Sequence, residues 1–433
     1  MKAETPASGT RAIVLLPWRP RGDDKPRSVE GRLTEAVGLA RAIELEIAHA
    51  QAVRLAEPRP ATLFGRGFVE EIKGLVGALE AGLVVVAGAL TAVQQRNLER
   101  AWSAKVIDRT GLILEIFGAR ARTREGMLQV ELARLSYQRS RLVRSWTHLE
   151  RQRGGLGAVG GPGESQLETD RRLIRTRIAR LEKKLEEVRR TRGLHRKART
   201  RVPYPVVALV GYTNAGKSTL FNQLTAAQVV ARDQLFATLD PTMRLLTLPS
   251  GAKAILSDTV GFVSDLPHDL VAAFRATLEE VTAADLVVHV RDAAHAETDA
   301  QKKDVDAVLS GLGLELEGDG LPLEALNKID LLPPAEQAAL RTASRKTPDR
   351  VPVSALTGEG CPALLARIDA RLMADRAVLE VEVPLADGAR LAWFYRRGTV
   401  LERRDRGETA HLKVRLDEAD RARLEREQAK AAE

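Results

Sequence analysis

Eight consecutive residues, GYTNAGKS at 211–218, have the types and spacing of a loop that binds phosphate. The two glycines let the backbone turn so that successive N–H groups point into one concavity, and a following helix N-terminus makes that concavity more positive. Lys217 can then reach the β- and γ-phosphates of a nucleotide, and the Ser218 hydroxyl can bind Mg²⁺. Every residue of this P-loop is a candidate nucleotide contact: Gly211, Tyr212, Thr213, Asn214, Ala215, Gly216, Lys217 and Ser218.

A second motif, DTVG at 258–261, follows an apolar patch at residues 254–256. An aspartate at the end of a strand is well placed to act on a bound metal, and the Gly261 N–H can sense a γ-phosphate. The sequence therefore adds Asp258, Thr259, Val260 and Gly261 to the candidate site.

Two further motifs predict recognition of guanine. In NKID at 327–330, the Asp330 carboxylate can accept hydrogen bonds from N1–H and from the 2-amino group of guanine, which adenine cannot match. Asn327 would brace neighbouring loops, and Lys328 would lie along the base. Ser354, Ala355 and Leu356 follow an apolar run and can offer backbone N–H groups to the guanine O6. Ile329 completes this set of candidates.

The segment FATLDPT at 236–242 offers hydroxyl groups that could close over Mg²⁺ and the γ-phosphate. Its candidates for nucleotide contact are Phe236, Ala237, Thr238, Leu239 and Asp240. Spacing alone does not decide between Thr238 and Thr242 as the metal ligand.

The residue after Gly261 is not one that could orient the attacking water. Many small GTPases have a glutamine there to orient the attacking water, whereas this chain has Phe262, which cannot hydrogen-bond to water. Phosphoryl transfer depends mostly on positioning and charge neutralisation, so we expect slow intrinsic hydrolysis that an external group stimulates. His268 is an alternative helper, although a single loop histidine is more often structural. The candidate catalytic residues are Lys217, Thr238, Gly261 and Asn214.

The elements around these motifs predict an α/β P-loop domain at residues 201–375, with a mostly parallel sheet and helices on both faces. A short β-branched strand at 206–210 precedes the loop, and a helix-prone run at 219–224 follows it. Residues 1–124 show their own strand–helix rhythm, which predicts a second α/β domain. Its predicted strands are 12–16, 52–55, 83–86 and 105–107, and its predicted helices run from Ser28 to about Ala48, over 67–80 and over 91–102.

Residues 125–200 change to a repeat of four and three, which is typical of a narrow helix seam. The seam positions are Leu128, Leu132, Leu135, Arg139, Leu142, Trp146 and Leu149, and then Ile174, Ile178, Leu181, Leu185 and Val188. The glycine-rich segment 154–163 interrupts the repeat, and no helix would tolerate so many glycines. We therefore predict two antiparallel helices joined by a flexible tip. The remaining residues, 376–433, predict a small α+β domain with strands at 379–383 and 412–414 and a charged helical end.

The positive charge of the chain is confined to that hairpin. Residues 125–201 hold 20 lysines and arginines against nine acidic residues, a net charge of +11, whereas all 433 residues carry +9. Such a concentration predicts contact with the phosphates of RNA. An interdomain coiled coil with a solvated basic face is the plainer alternative.

The cysteine count and the hydropathy of the chain indicate the cellular compartment. A single cysteine, Cys361, excludes an internal disulfide framework and suits a reducing cytoplasm. No run is long enough for a signal peptide or a membrane span. We expect a cytoplasmic monomer without a membrane span; peripheral membrane association stays open.

On these residues the chain resembles the HflX family of GTPases over nearly its whole length. The most specific stretches are GGLGAVGGPGESQLETDRR (154–172), GYTNAGKSTLFN (211–222), FATLDPT (236–242), DTVGFVSDLPHDLVAAFRATLEE (258–280) and LADGARLAWFYRRG (385–398). The resemblance implies GTP and GDP as ligands, with Mg²⁺ bound by Ser218 and Thr238. It also implies a factor that binds the large (50S) ribosomal subunit and splits stalled or stressed 70S ribosomes, with the tip near the peptidyl-transferase region of the rRNA.

Three points stay open at the level of sequence. Asn214 matches the position at which GTPases with a similar GxxNxGKS loop hold K⁺, so potassium activation is a hypothesis. An RNA-remodelling or RNA-modifying enzyme regulated by GTP is a second candidate function, although residues 1–120 and 376–433 show no catalytic motif for it. A signalling GTPase with a protein partner is a third, and the localised basic segment argues against it.

Overall fold

In the part of the chain that it describes, the computed structural model contains three β-sheets and a long helical hairpin. It describes residues 9–20, 27–152, 162–199, 204–225, 235–236, 238–239, 242–264, 280–314, 321–374, 377–416 and 424. Throughout these ranges, no helix is both long enough and apolar enough to cross a lipid bilayer.

The N-terminal unit is a four-stranded parallel sheet with helices on both faces. Its elements are β1 (Arg11–Trp18), α1 (Val29–Arg41), β2 (Glu46–Arg54), α2 (Arg66–Ala78), β3 (Leu83–Val86), α3 (Ala92–Trp102), β4 (Lys105–Asp108) and α4 (Arg109–Arg120), and the strand order is β2-β1-β3-β4. Alternate residues of β1 enter two cores: Val14 packs on the side of α1 and α4, and Ile13 on the side of α2 and α3. A strand buried on both faces explains the continuous apolar run in the sequence.

The prediction for the second strand is wrong. The helix that begins after the N-cap Ser28 ends at Arg41 and not near Ala48, and β2 is Glu46–Arg54 and not residues 52–55. Glu44, with φ of 60°, turns the chain before the strand. Glu46 and the alanines that follow favour helix locally, but parallel pairing along the whole of β1 overrides that preference. The helix α4 has no counterpart in the sequence prediction.

The helical hairpin consists of α5 (Arg124–Gln152) and α6 (Pro162–Arg199). Six of the predicted seam residues form one apolar cluster, as the spacing predicts: Leu128, Leu132, Leu135, Ile174, Ile178 and Leu181. The Gly-rich tip lies outside the described residues except for its last two positions, where α6 begins.

The central unit carries the nucleotide motifs on a six-stranded sheet of order β10-β9-β8-β5-β7-β6. Its elements are β5 (Val206–Val210), α7 (Lys217–Thr225), β6 (Thr242–Thr247), β7 (Lys253–Asp258), β8 (Leu286–Asp292), α8 (Thr298–Gly311), β9 (Leu323–Asn327), a 3₁₀ turn (Ile329–Leu331), α9 (Pro334–Lys346), β10 (Arg350–Pro352) and α10 (Cys361–Met373). All pairs are parallel except β6 with β7. The carboxyl ends of the parallel strands therefore meet at one edge, where the motifs lie.

The C-terminal unit is a three-stranded antiparallel sheet of order β11-β13-β12. Its elements are β11 (Ala377–Pro384), α11 (Gly388–Arg397), β12 (Thr399–Arg406) and β13 (Thr409–Leu416). Two of these strands contain the predicted segments, while β12 and α11 were not predicted. The predicted charged helical end falls outside the described residues, apart from Leu424.

The N-terminal and central units share one apolar core. Phe117 of α4 meets Phe236 edge-on, with ring centroids 4.7 Å apart. Tyr212 of the P-loop and Phe262 and Val263, which follow the DTVG motif, belong to the same core. The N-terminal unit is therefore packed directly against the segments that the sequence assigns to nucleotide binding.

Candidate nucleotide-binding site

The P-loop connects the end of β5 to the start of α7. Gly216 has φ of 90°, and a Cβ there would collide with the side-chain nitrogen of Asn327. Asn214 is exposed and has φ of 62°, a left-handed conformation that asparagine tolerates better than most residues. The local sequence thus satisfies two demanding backbone positions.

Lys217 lies inside the loop that precedes it. Its side chain is buried, and Nζ donates to the carbonyl oxygens of Gly211 at 3.1 Å and Tyr212 at 2.9 Å. Burial lowers the pKa of Lys217 to about 8, although the Asp258 carboxylate acts in the opposite direction. An anionic phosphate in the concavity would favour the charged ammonium group.

Three oxygen-bearing side chains converge beside the lysine. Asp258 Oδ2 accepts from Ser218 Oγ at 2.7 Å and from Thr238 Oγ1 at 3.0 Å, and the two hydroxyls lie 2.8 Å apart. Asp258 Oδ1 is buried without a hydrogen-bond partner among the described residues. Burial raises the pKa of Asp258, while the Ser218 hydrogen bond and the Lys217 charge oppose that rise. Hard oxygen donors around an unsatisfied carboxylate fit Mg²⁺.

The alternative ligand Thr242 occupies a different place. It begins β6 and stands opposite Asp258 in the antiparallel pairing of β6 with β7. Thr238, in contrast, has its hydroxyl within hydrogen-bonding distance of both Ser218 and Asp258. The geometry therefore favours Thr238, in agreement with the family resemblance.

The segment after Asp258 is joined to the P-loop by backbone hydrogen bonds. Thr213 N–H donates to the Phe262 carbonyl at 2.7 Å, and Phe262 N–H donates to the Gly211 carbonyl at 3.1 Å. The Phe262 side chain is buried in the core between the units. Thr259 and Val260 are also buried, and the Thr259 hydroxyl donates to the Leu209 carbonyl at 2.6 Å. Phe262 offers no polar group to a water molecule.

Asn327 connects the base-recognition motifs to the P-loop. Its Nδ2 donates to the Ala215 carbonyl at 2.8 Å, and its Oδ1 accepts from the Ala355 N–H at 2.9 Å. Lys328 has φ of 65°, and its Nζ lies 2.8 Å from Asp292 Oδ2.

The other base-recognition candidates follow the carboxyl ends of β9 and β10. Asp330 is half-buried beside the buried Ile329, Ser354 is buried, and Leu356 is 77 % exposed. The structure therefore brings the predicted base-recognition residues to the same sheet edge as the P-loop.

Three of the candidates named from the sequence, Ala237, Asp240 and His268, lie outside the described residues. Their neighbours Phe236 and Leu239 are buried in the shared core.

The sequence interpretation missed the part of the N-terminal unit that reaches this site. Glu35 accepts from the hydroxyls of Tyr212 and Ser264, which lie in and beside the nucleotide motifs, and Arg109 donates to the Ser264 carbonyl. No motif marks either residue, because each belongs to a helix with an ordinary amphipathic pattern.

Four family models match nearly the whole chain. They are described as GTP-binding GTPase N-terminal over residues 30–118, GTP-binding GTPase middle region over 120–199, 50S ribosome-binding GTPase over 206–317, and HflX C-terminal domain over 339–433.

Similar proteins extend over the same length. The GTPase HflX of Magnetococcus marinus is 50 % identical over 426 residues, covering 98 % of this chain and 96 % of that protein. The GTPase HflX of Escherichia coli is 47 % identical over 369 residues, covering 85 % of each. Among solved structures, the GDP complex of SsGBP aligns with a TM-score of 0.48 and 23 % identity, covering 83 % of this chain and 97 % of that one. The four family models and the two HflX relatives show that this chain belongs to the HflX family of GTPases.

Proposed function

We propose that this GTPase binds the 50S ribosomal subunit and uses GTP to split stalled or stressed 70S ribosomes. The observation that carries the proposal is the basic hairpin, which holds a net charge of +11 over residues 125–201 and is attached to a nucleotide-binding unit. The description of the matched central family model, a 50S ribosome-binding GTPase, supports the same partner.

The hairpin has the surface that a backbone-binding arm needs. Its apolar seam faces inward, and on the described part of α6 the exposed cations outnumber the exposed glutamates Glu182, Glu186 and Glu187. The exposed cations are Arg172, Arg175, Arg177, Arg180, Lys183, Lys184 and Arg190. Cations of this kind bind nucleic acid by releasing counterions from its phosphates, without reading base sequence. We propose that these arms follow rRNA phosphates while the tip at 154–163 reaches the peptidyl-transferase region.

In the nucleotide site we assign the phosphates to the P-loop and Lys217, and guanine to Asp330. Ser218 and Thr238 would hold Mg²⁺ directly, with Asp258 beside them, and the ion would supply charge neutralisation on the β- and γ-phosphates. Asn214 would hold K⁺. Equal hydrolysis rates in Na⁺ and K⁺ buffers would contradict the potassium assignment.

The four-part division at about residues 125, 200 and 375 is part of the proposal, and so is a monomeric, cytoplasmic protein. Separate sheets before and after the hairpin support the division. The single cysteine is buried and free, as suits a reducing compartment.

The test is GTP hydrolysis with and without purified 50S subunits, at fixed salt in K⁺ buffer. We expect strong stimulation, because Phe262 offers no group to orient water and the ribosome would have to supply one. Lys217→Ala should abolish the nucleotide-dependent effect. Deleting residues 154–163 should spare intrinsic hydrolysis and reduce the stimulated rate. Intact GTP binding without stimulation would contradict the proposal and favour a free RNA or a protein as the partner.

A further inference from the structure

Glu35 on α1 is the centre of a buried polar cluster between the N-terminal and central units. Its carboxylate accepts from the guanidinium groups of Arg27 and Arg109, from the Tyr212 hydroxyl, and from the Ser264 hydroxyl at 3.0 Å. The Glu35 side chain is only 6 % exposed. Burial alone would raise the pKa of Glu35, but the charges of Arg109 and Arg27 outweigh it and keep that pKa below the ordinary value. The carboxylate is therefore ionised at neutral pH.

The cluster holds the backbone of Ser264 from two sides. The Ser264 N–H donates to the Tyr212 hydroxyl at 2.7 Å, and the Ser264 carbonyl accepts from Arg109 at 2.8 Å. Tyr212 is the second residue of the P-loop, and Ser264 stands three residues after Gly261. Any displacement of this segment in response to a γ-phosphate must therefore rearrange the hydrogen bonds to Arg109 and Tyr212.

The residue before Arg109 holds the helical hairpin. Asp108 Oδ1 accepts from the Tyr137 hydroxyl at 2.6 Å, and Oδ2 accepts from Arg141 at 3.3 Å. Tyr137 and Arg141 lie one turn apart on α5. Asp108 also caps α4 through the Gly111 N–H at 2.8 Å, so its position is fixed relative to Arg109. Two consecutive residues, Asp108 and Arg109, thus contact the hairpin and the segment that follows the DTVG motif.

Stability alone does not account for this arrangement. A buried carboxylate between two cations carries a desolvation cost that an apolar contact would avoid. The shared apolar core around Phe117 and Phe236 already joins the two units. The polar cluster contacts Ser264, three residues after Gly261, whose N–H we expect to sense the γ-phosphate. An interaction that depends on the nucleotide would have to lie there.

We propose that Asp108 and Arg109 are positioning residues that couple the conformation of the segment 261–264 to the orientation of the helical hairpin. Glu35 orients Arg109. A displacement of the segment 261–264 is transmitted to α5 through the hydrogen bonds of Asp108 with Tyr137 and Arg141. Coupling between binding sites is reciprocal, so a partner that favours one orientation of the hairpin also favours one nucleotide state. The coupling itself requires only that the GTPase site binds nucleotide. The identity of the partner rests on the proposed function.

The first measurement is a distance between the hairpin and the central unit. Spin labels on Glu186→Cys in α6 and Lys346→Cys in α9 occupy exposed positions, and the single native cysteine is buried. We expect the distance distribution from pulsed electron paramagnetic resonance to differ between GDP and a non-hydrolysable GTP analogue. An unchanged distribution in the wild-type background would overturn the proposal.

The variants are chosen to break each end of the connection. Tyr137→Phe removes the hydroxyl that donates to Asp108, and Arg109→Met removes the donor to Ser264 while keeping a flexible, unbranched side chain. Both should abolish the nucleotide-dependent change in distance, and Arg109→Lys should restore part of it. Arg177→Met is the matched control, because it breaks an exposed ion pair with Glu131 elsewhere in the hairpin. If the Tyr137→Phe and Arg109→Met variants fold and still show the wild-type change in distance between the two nucleotides, the coupling is refuted.

The second measurement is stimulation by 50S subunits. Intrinsic GTP hydrolysis by the Tyr137→Phe variant should equal that of the wild type, while its stimulation should fall about fivefold or more, the lower range of an allosteric coupling. A wild type that changes distance but is not stimulated would support the coupling and contradict the ribosomal partner. A stimulated wild type with equally stimulated variants would support the partner and contradict the coupling.

Discussion

Replacing Asn327 by alanine should loosen two nucleotide loops at once. Asn327 is 1 % exposed. Its side-chain amide donates to the Ala215 carbonyl at 2.8 Å and accepts from the Ala355 N–H at 2.9 Å. Alanine leaves both backbone groups buried without that partner. An unsatisfied buried group costs about 1–3 kcal/mol, so we expect the central unit to lose about 2–6 kcal/mol of unfolding free energy.

The assay must report on the central unit alone. All four tryptophans, Trp18, Trp102, Trp146 and Trp393, lie outside residues 204–374, so intrinsic fluorescence would report on other parts of the chain. Hydrogen–deuterium exchange of peptides from β5 and β9 reads the free energy of opening locally. A loss of 2 kcal/mol corresponds to about 30-fold faster exchange.

A matched control separates this effect from the loss of any asparagine. Asn97 donates to the Ala61 carbonyl at 2.9 Å on the exposed surface of the N-terminal unit, so Asn97→Ala should change stability by less than about 0.5 kcal/mol. If exchange in the Asn327→Ala variant stays within about threefold of the wild type, the loops are held without the amide and the reasoning fails.

Two other predictions concern base recognition and pH. Asp330→Asn should weaken GTP binding about 10- to 100-fold and favour xanthosine triphosphate, because an amide can donate to its 2-oxo group; competition calorimetry with an unchanged preference would contradict the assignment. Burial, aided by Lys302 and Arg291, lowers the pKa of His289 to about 3 from 6.5, so the unfolded chain binds a proton between these values that the folded chain does not. Stability should therefore fall with pH from about 6.5 towards 3, by up to about 1.4 kcal/mol per unit from this group. The stability of the His289→Gln variant, measured by thermal unfolding, should lack this dependence on pH, whereas the exposed control His295→Gln should keep it. Identical slopes of stability against pH in the two variants would refute the assignment.

The chemistry of the site could be predicted from sequence because each motif is local. The P-loop needs glycine at 211 and 216 and a lysine and serine at fixed spacing, and these demands arise within eight residues. The strand before it and the helix after it are predicted correctly for the same reason, since both are short and strongly patterned. The seam of the hairpin is also a local repeat, and six of its residues, from both helices, pack together as predicted.

Long-range packing decided the rest. Glu46 and the alanines of β2 favour helix by themselves, but the segment forms a strand because pairing with β1 satisfies its backbone. The spacing of the motif left Thr238 and Thr242 open as metal ligands, and the approach of the Thr238 hydroxyl to Ser218 and Asp258 favours Thr238. Glu35 shows no pattern in the sequence.

Glu35 becomes significant only where the fold brings it to Tyr212 and Ser264, 177 and 229 residues further along the chain. Sequence determines the nucleotide chemistry because its rules act between near neighbours. Tertiary structure decides what that chemistry is connected to, because burial and ion pairing act between segments that only the fold brings together.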